Sequence, residues 1–234
     1  MARATPEELN ALTKNFYETC ARHWNNSPEY EWAGWGSLRE YLPTERFDVL
    51  DLGCGSGRFG HFLEREYGRQ VTAYVGVDYA DFYVETARRQ PVDFIRSFAI
   101  LQKDLFQDNW ELPASDLVVA FGLIHHLPSE FRPHFFRQLR SVFGPRTLGI
   151  VTTWQYLDNP RLRKKILPEH PLHTGGADNV LSWTQGTYGE RYSHHWSVEE
   201  VLREFAGYGF EAEYLPGPSE AERGLNNYFL VRRL

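Results

Sequence analysis

The segment that most constrains this chain is residues 47–60, which read FDVLDLGCGSGRFG. Apolar residues lead directly into three closely spaced glycines, Gly53, Gly55 and Gly57. An apolar run that stops at glycines and is followed by helix-forming residues is typical of the strand–turn–helix of an α/β nucleotide site. The glycines let the backbone approach a ligand where a Cβ would collide, and the helix offers its first N–H groups to that ligand. The segment therefore predicts a ligand-binding turn at the end of a strand.

Two kinds of ligand fit such a turn. Residues 55–60, GSGRFG, match the dinucleotide fingerprint G-x-G-x-x-G, and Asp78 follows about 20 residues later, as that fingerprint requires. This match is out of register, because Gly53 already ends the strand. Asp51 lies just before Gly53, where a carboxylate would repel a pyrophosphate but would suit a ligand that carries an ammonium group. Both NAD and an ammonium-bearing ligand therefore stay open on this segment alone.

An acidic residue, one further residue and then G-x-G-x-G, as in residues 51–57, resemble motif I of the class I S-adenosylmethionine (SAM) methyltransferases. The resemblance implies SAM as the cofactor and S-adenosylhomocysteine as the product. It also implies an α/β fold of the Rossmann-like class I methyltransferase type. That fold has a mostly parallel seven-stranded sheet with an antiparallel C-terminal strand, and helices on both faces.

The rest of the chain supports one α/β domain over residues 1–234, since its length suits a single large core. Strand and helix patterns alternate, which predicts a parallel sheet with right-handed crossovers. The predicted strands are 47–52, 71–77, 98–102, 117–121, 147–153, 211–214 and 228–232. Residues 1–42 are predicted to form an N-terminal helical cap, with helices up to about residue 22 and over 37–42. Residues 154–195 read as an irregular insertion that covers the acceptor site.

The predicted cofactor residues follow the strands, because open parallel sheets bind ligands at the carboxyl ends of their strands. Asp78 ends the second strand, where its carboxylate can accept both ribose hydroxyls, and Tyr79 can stack on adenine. The resemblance assigns Asp104 and the backbone of Leu105 to the adenine, and the turn at Gly53–Gly57 to the methionyl portion. The full predicted set is Asp51, Gly53, Cys54, Gly55, Gly57, Asp78, Tyr79, Asp104, Leu105, Phe121 and Gly122.

The candidate catalytic residues lie after the fourth strand and in the insertion. His125, in the run FGLIHHL, is a candidate general base, since imidazole titrates near neutrality. The alternative is that the two adjacent histidines are structural, and only His125 is expected to face the pocket. If the acceptor is a carboxylate, no base is needed, and Arg191 or His194 would hold the acid group. No metal site is predicted, because the histidines are scattered and no cysteine cluster occurs.

The second half of the chain resembles one subgroup of these methyltransferases, which methylate a carboxymethyl group on the wobble uridine of tRNA. The resemblance rests on the runs DNVLSW, RYSH and NYF at residues 178, 191 and 227, together with IHHL at 124. Residues 128–173 also carry eight basic but only three acidic side chains. The expected acceptor is therefore tRNA or a related carboxylate, and the resemblance leaves room for a small activating protein. The alternative is a small-molecule O- or N-methyltransferase with an aromatic lid, which the net charge of −6 favours.

The N-terminus is polar, and the longest apolar run is too short to span a membrane. The two cysteines, Cys20 and Cys54, give no disulfide framework, since Cys54 lies in the glycine turn. We therefore expect a cytoplasmic protein with no membrane partner.

Overall fold

A computed structural model describes residues 4–24, 31–92 and 96–234. The helices are α1 (Pro6–Trp24), α2 (Ala33–Gly36), α3 (Arg58–Tyr67), α4 (Asp81–Arg89), α5 (Arg132–Ser141), α6 (Pro160–Arg163), α7 (Val198–Gly207) and α8 (Pro216–Ala221). The strands are β1 (Phe47–Leu52), β2 (Val71–Asp78), β3 (Ser97–Gln102), β4 (Leu117–Ala120), β5 (Leu148–Trp154), β6 (Asp178–Trp183), β7 (Gly189–His194), β8 (Phe210–Leu215) and β9 (Asn226–Arg233).

Seven strands form the main sheet, in the order β3-β2-β1-β4-β5-β9-β8. The first five are parallel, and β9 runs antiparallel to both β5 and β8. This arrangement confirms the predicted sheet with its antiparallel C-terminal strand. It also differs from the dinucleotide-binding fold, whose strand order 3-2-1-4-5-6 has no inserted antiparallel strand.

Buried apolar residues cover both faces of this sheet, as a parallel sheet requires. One cluster includes Val49, Phe62 and Tyr74, and packs β1 and β2 against α3. The other includes Leu50, Phe136 and Phe205, and packs the opposite face against α5 and α7. Alternate residues of β1 enter the two clusters, so the strand is fixed in register and its end is held rigidly.

Two helix starts follow from their capping residues. The backbone N–H of Thr5 donates to Glu8 Oε2 (2.8 Å), and the N–H of Glu8 donates to Thr5 Oγ1 (3.2 Å), so these two residues form a capping box at the start of α1. Ser197 Oγ accepts from the N–H of Glu200 (3.1 Å) and caps α7.

The N-terminal region and the insertion differ from the predictions. The short helix predicted over 37–42 is wrong, because the helix lies earlier, at Ala33–Gly36, and is followed by turns. Residues 25–30 of the predicted N-terminal cap lie outside the described residues. The insertion is not irregular throughout, since β6 and β7 pair as an antiparallel hairpin that packs against α1. Single-sequence patterns miss this hairpin because both of its faces are partly buried and its strands do not alternate in polarity.

None of the helices in the described ranges is both long enough and apolar enough to span a bilayer.

Candidate active site

The carboxyl ends of β1 to β4 open into a cavity of about 990 Å³. The loops after these strands form its floor, and one face of α1, the hairpin β6–β7 and the α8–β9 connection form its walls. Ligands bind at this edge in open α/β sheets. The volume is at the upper end of the range for single-ligand pockets, so the cavity has room for two small ligands.

Most of the predicted site residues line this cavity. They are Gly53, Gly55, Asp78, Tyr79, Asp104, Leu105, Phe121, Gly122, His125 and Arg191. Asp51, Cys54, Gly57 and His194 do not line it.

The glycine turn places bare backbone against the cavity. Gly55 has a φ of +54°, and a Cβ there would meet no atom within 4 Å, so the turn leaves open space where a ligand can approach the main chain. The N–H groups of Gly53 and Cys54 donate to the carbonyl O of Val77 (2.8 and 3.0 Å), and that of Gly55 donates to Asp78 Oδ2 (2.9 Å). These amides are bonded within the protein and are not available to a pyrophosphate, which disfavours the dinucleotide interpretation.

Three predicted cofactor residues pack behind the glycine turn and do not line the cavity. Asp51 is buried, and the hydroxyl of Tyr74 donates to its Oδ2 at 2.5 Å. Burial raises the pKa of Asp51 to about 7, so this side chain is only partly ionised at neutral pH. The Cys54 side chain packs against Gly76, and Gly57 is the left-handed N-cap of α3. The pleat of β1 directs the Asp51 side chain into the core beside Tyr74, and its predicted attraction for an ammonium group of the ligand stays a prediction.

Asp78 is held at the floor of the cavity by backbone donors. Its Oδ1 accepts from the N–H of Ala80 (3.0 Å), while its Oδ2 accepts from that of Gly55. Burial raises the pKa of Asp78, and the N–H groups of Ala80, Gly55 and Tyr79 oppose that rise. Each carboxylate oxygen has two lone pairs, so both can also accept from ligand hydroxyls.

Asp104 and Tyr79 connect the floor to α1. Lys14 Nζ lies 2.7 Å from Asp104 Oδ2, and the N–H of Phe106 donates to Asp104 Oδ1 (2.9 Å). The hydroxyl of Tyr79 donates to the carbonyl O of Thr13 (3.2 Å). Helix α1 is thereby fixed over the end of the cavity that is formed by β2 and β3.

Both adjacent histidines line the cavity, which corrects the prediction that only His125 would face it. The 3₁₀ turn at Ile124–His126 brings their ring centroids to 4.2 Å of each other. His126 Nδ1 donates to the carbonyl O of Tyr192 (2.7 Å), so its Nε2 accepts from the hydroxyl of Tyr17 (2.8 Å). His125 Nδ1 is buried without a hydrogen-bond partner in the described part of the protein.

Neither histidine holds a proton readily. Burial, together with the charge of Arg191, lowers the pKa of His126 to about 3. Burial lowers the pKa of His125 well below its usual value, and His126 and Arg191 lower it further. Both rings are therefore neutral at physiological pH and are weak bases.

Arg191 is the buried cation of the cavity, with 4% of its surface exposed. Its guanidinium carbon lies 4.6 Å from the ring centroid of Phe16, 4.8 Å from that of Trp154 and 5.9 Å from that of Trp183. Lys165 Nζ lies 4.8 Å from the same Trp183 ring. Burial lowers the pKa of Lys165, and the charges of Arg191 and Arg161 lower it further, because these cations lie near one another along this wall.

His194 cannot hold an acceptor acid, which corrects that prediction. Its Nδ1 lies 2.8 Å from Asp178 Oδ1 and its Nε2 lies 2.9 Å from Glu200 Oε1. Burial lowers the pKa of His194, but the hydrogen bonds to these two carboxylates outweigh burial and raise it. Arg132 also pairs with Glu200 (3.2 Å), so His194 joins the hairpin to α5 and α7 behind the cavity wall. The alternation of side chains along β7 places Arg191 and His194 on opposite faces of that strand.

Several residues that line the cavity were not in the predicted set. Asn10, Thr13 and Tyr17 lie on one face of α1, and their i, i+3, i+7 spacing was the signal in the sequence. Glu222 and Asn226, which come from the α8–β9 connection, carried no recognisable signal.

Part of this chain is similar to known proteins. Residues 49–146, which contain the glycine turn and both histidines, match the family model described as Methyltransferase domain. A protein of Encephalitozoon cuniculi (strain GB-M1) named "Putative methyltransferase ECU09_1500" is 25% identical over 183 residues, which are 76% of this chain and 78% of that protein.

Solved structures share the fold. The DhpI–SAH complex is 17% identical with a TM-score of 0.70, and the match covers 98% of each chain. The PH0226 protein of Pyrococcus horikoshii OT3 is 21% identical with a TM-score of 0.68, over 94% of this chain and 99% of that one. The glycopeptide N-methyltransferase MtfA is 16% identical with a TM-score of 0.62, over 88% and 92%.

Proposed function

We propose that this chain, a SAM-dependent methyltransferase with the class I fold, transfers the methyl group of SAM to a carboxylate and forms a methyl ester. The observation that carries the proposal is the wall formed by Arg191 and Lys165 beside two neutral histidines. This wall attracts an acceptor that is already negatively charged, and its two histidines are too weakly basic to take a proton from a neutral one at physiological pH.

The cofactor end of the cavity fits an adenosyl group. Asp78 would accept the ribose hydroxyls, because backbone donors hold its carboxylate in place with lone pairs to spare. Tyr79 would offer its ring to the adenine, and Asp104 with the backbone of Leu105 would bind the adenine edge. The open space at Gly55 would admit the methionyl chain close to the backbone.

When bound, SAM supplies a methyl group that is already activated on a sulfonium. The contribution of the protein is then to hold the acceptor oxygen in line with that methyl, an effect worth up to about 7–11 kcal/mol in well-oriented systems. Arg191 would orient the carboxylate through two parallel hydrogen bonds, the arrangement that guanidinium groups form best. The rings of Phe16 and Trp154 pack around the guanidinium of Arg191 and would restrict its orientation.

His125 would act as a neutral hydrogen-bonding group rather than as a base. Its buried Nδ1 can donate to or accept from the acceptor, depending on the tautomer. A carboxylate loses no proton on methylation, so the weak basicity of both histidines costs the reaction nothing. An amine or hydroxyl acceptor would need a base, and neither histidine provides one at physiological pH.

The first acceptor to test is the carboxymethyl group on the wobble uridine of tRNA. Exposed basic residues, Arg161, Arg163 and Lys164, lie on and directly after α6, and Arg161 also lines the cavity. Cations placed at the opening of an acid-binding cavity suit a phosphate backbone. A small carboxylic acid is the second candidate, favoured by the net charge of −6.

The experiment is incubation of the protein with methyl-labelled SAM and three acceptors. These are bulk tRNA whose methyl esters have been saponified, untreated tRNA and a pool of small carboxylic acids. The proposal predicts label in the saponified tRNA that mild alkali releases as methanol, since only a carboxylate ester is cleaved that easily. Binding to that tRNA should weaken steeply as salt rises.

Alkali-stable label would refute the carboxylate acceptor and indicate N-methylation or ether formation. Label confined to the small acids would retain the ester chemistry but reject tRNA. As a control for the base, His125→Ala should leave the dependence of kcat on pH unchanged between pH 6 and 9. If His125→Ala removed a titration near neutral pH from the dependence of kcat on pH, the imidazole of His125 would be taking a proton.

A further inference from the structure

One part of the cavity wall belongs neither to the proposed cofactor end nor to the acid-binding wall at Arg191 and Lys165. The connection between α8 and β9 contributes Ala221, Glu222, Arg223, Leu225 and Asn226 to the lining. Apart from Asp78 and Asp104 at the cofactor end, Glu222 is the carboxylate among the described lining residues. The cavity therefore has a positive region at Arg191 and Lys165, and a separate negative side chain at Glu222.

The Glu222 carboxylate is held firmly in place. Its Oε1 accepts from the hydroxyl of Tyr228 (2.7 Å) and, at longer range, from the N–H of Gly34 (3.4 Å). Its Oε2 accepts from Asn226 Nδ2 (2.6 Å). Donors from α2 and β9 thus fix both oxygens, which is the preorganisation that a binding group needs.

Glu222 still has capacity for one more donor. A carboxylate offers about four lone-pair directions, and the hydrogen bonds among the described residues occupy three of them, two on Oε1 and one on Oε2. No lysine, arginine or histidine in the described ranges forms an ion pair with Glu222. The remaining lone pair belongs to Oε2 of Glu222, and Glu222 lines the cavity.

The backbone beside Glu222 is strained. Arg223 has a φ of +55°, a left-handed conformation that costs a non-glycine residue about 1 kcal/mol or more. Such strain persists where the surrounding structure fixes the backbone, and here it lies directly after Glu222, the C-cap residue of α8.

We infer that Glu222 accepts a hydrogen bond from an N–H group of the acceptor, so that the acceptor carries an imide or amide N–H as well as its carboxylate. This inference rests on the proposed function, since it concerns the same acceptor. In a carboxymethyl-substituted uracil, the donor is the imide N–H of the ring. Arg191 then selects the acid and Glu222 selects the ring edge, and together they fix the acceptor at two points.

The test uses two synthetic tRNA anticodon stem-loops as probes. One carries 5-carboxymethyluridine at the wobble position, and the other carries the same nucleoside methylated at ring N3, which removes the N–H. The wild-type protein should methylate the first with a kcat/KM about 10- to 100-fold higher than the second, the range expected for a hydrogen bond to a charged group. Glu222→Gln should lose a similar factor on the first probe, mostly in KM, and should discriminate between the two probes by less than about threefold.

The matched control is Glu220→Gln, which removes an exposed carboxylate from the same helix, outside the cavity lining. It should behave as the wild type does, and SAM affinity should be unchanged in both variants. Equal kcat/KM on the two probes in the wild type would overturn the inference and leave the proposed function intact. So would discrimination that persists in Glu222→Gln. Absence of alkali-labile label from both probes and from the small acids would refute the proposed function itself.

Discussion

Replacement of Arg191 by methionine tests the acid-binding wall most directly. Methionine keeps an unbranched apolar stem against Phe16, Trp154 and Trp183, and it removes the guanidinium. The variant should lose two charge-assisted hydrogen bonds to the acceptor carboxylate. Loss of one preorganised donor in a buried site costs about 2.7–4 kcal/mol, so kcat/KM should fall about 100- to 1,000-fold.

The stability of the fold should change little in this variant. The cation–aromatic contacts of Arg191 contribute about 0.5–2 kcal/mol each, whereas burial of the guanidinium costs several kcal/mol, as its lowered pKa indicates. We therefore expect a melting temperature within a few degrees of the wild type, and an unchanged calorimetric Kd for SAM. Arg191→Lys keeps the charge without the planar fork and should lose about 10- to 100-fold.

The assay is the initial rate of alkali-labile methyl transfer at varied acceptor concentration. The matched control is Arg203→Met, because Arg203 is an exposed cation on α7 that does not line the cavity. Full activity of Arg191→Met on a carboxylate acceptor would refute the reasoning. A loss of SAM affinity equal to the loss of kcat/KM would place Arg191 at the cofactor instead.

Three further outcomes follow from the structure. Gly55→Ala should weaken SAM binding at least tenfold, because its Cβ would enter the open space of the turn. Gly176→Ala, which is also at positive φ with open surroundings, should only lower the melting temperature. Calorimetry measures the SAM affinity of both variants, and thermal unfolding measures their stability. His126 has a pKa of about 3 in the fold, so the unfolded chain binds more protons below pH 6.5. Stability should therefore fall by about 1.4 kcal/mol per pH unit between pH 6.5 and 3 through this residue, and urea unfolding of His126→Gln should show a shallower slope. Tyr74→Phe should cost about 1–3 kcal/mol in urea unfolding, since it leaves the buried carboxyl of Asp51 without its donor, and no loss would refute that role.

Much of the sheet and of the cofactor end follows from the sequence. Residues 47–60 predict β1, the glycine turn and α3, because an apolar run, glycines and a helix start are local signals. The positions of Asp78 and Asp104 follow from the strands that precede them, since parallel strands end at one edge of the sheet. The antiparallel C-terminal pair was likewise predictable from its position in the chain and its resemblance to the family.

The tertiary structure alone decided the acceptor end. Whether Asp51, Arg191 or His194 faces the cavity depends on the pleat of β1 and β7 and on what packs behind each strand, and the local sequence contains neither. The neutrality of His125 and His126 is a consequence of burial beside Arg191, which lies more than sixty residues away in the chain. Local patterns therefore determined where the chain turns and where a nucleotide can bind, and long-range packing determined which charges remain to choose the acceptor.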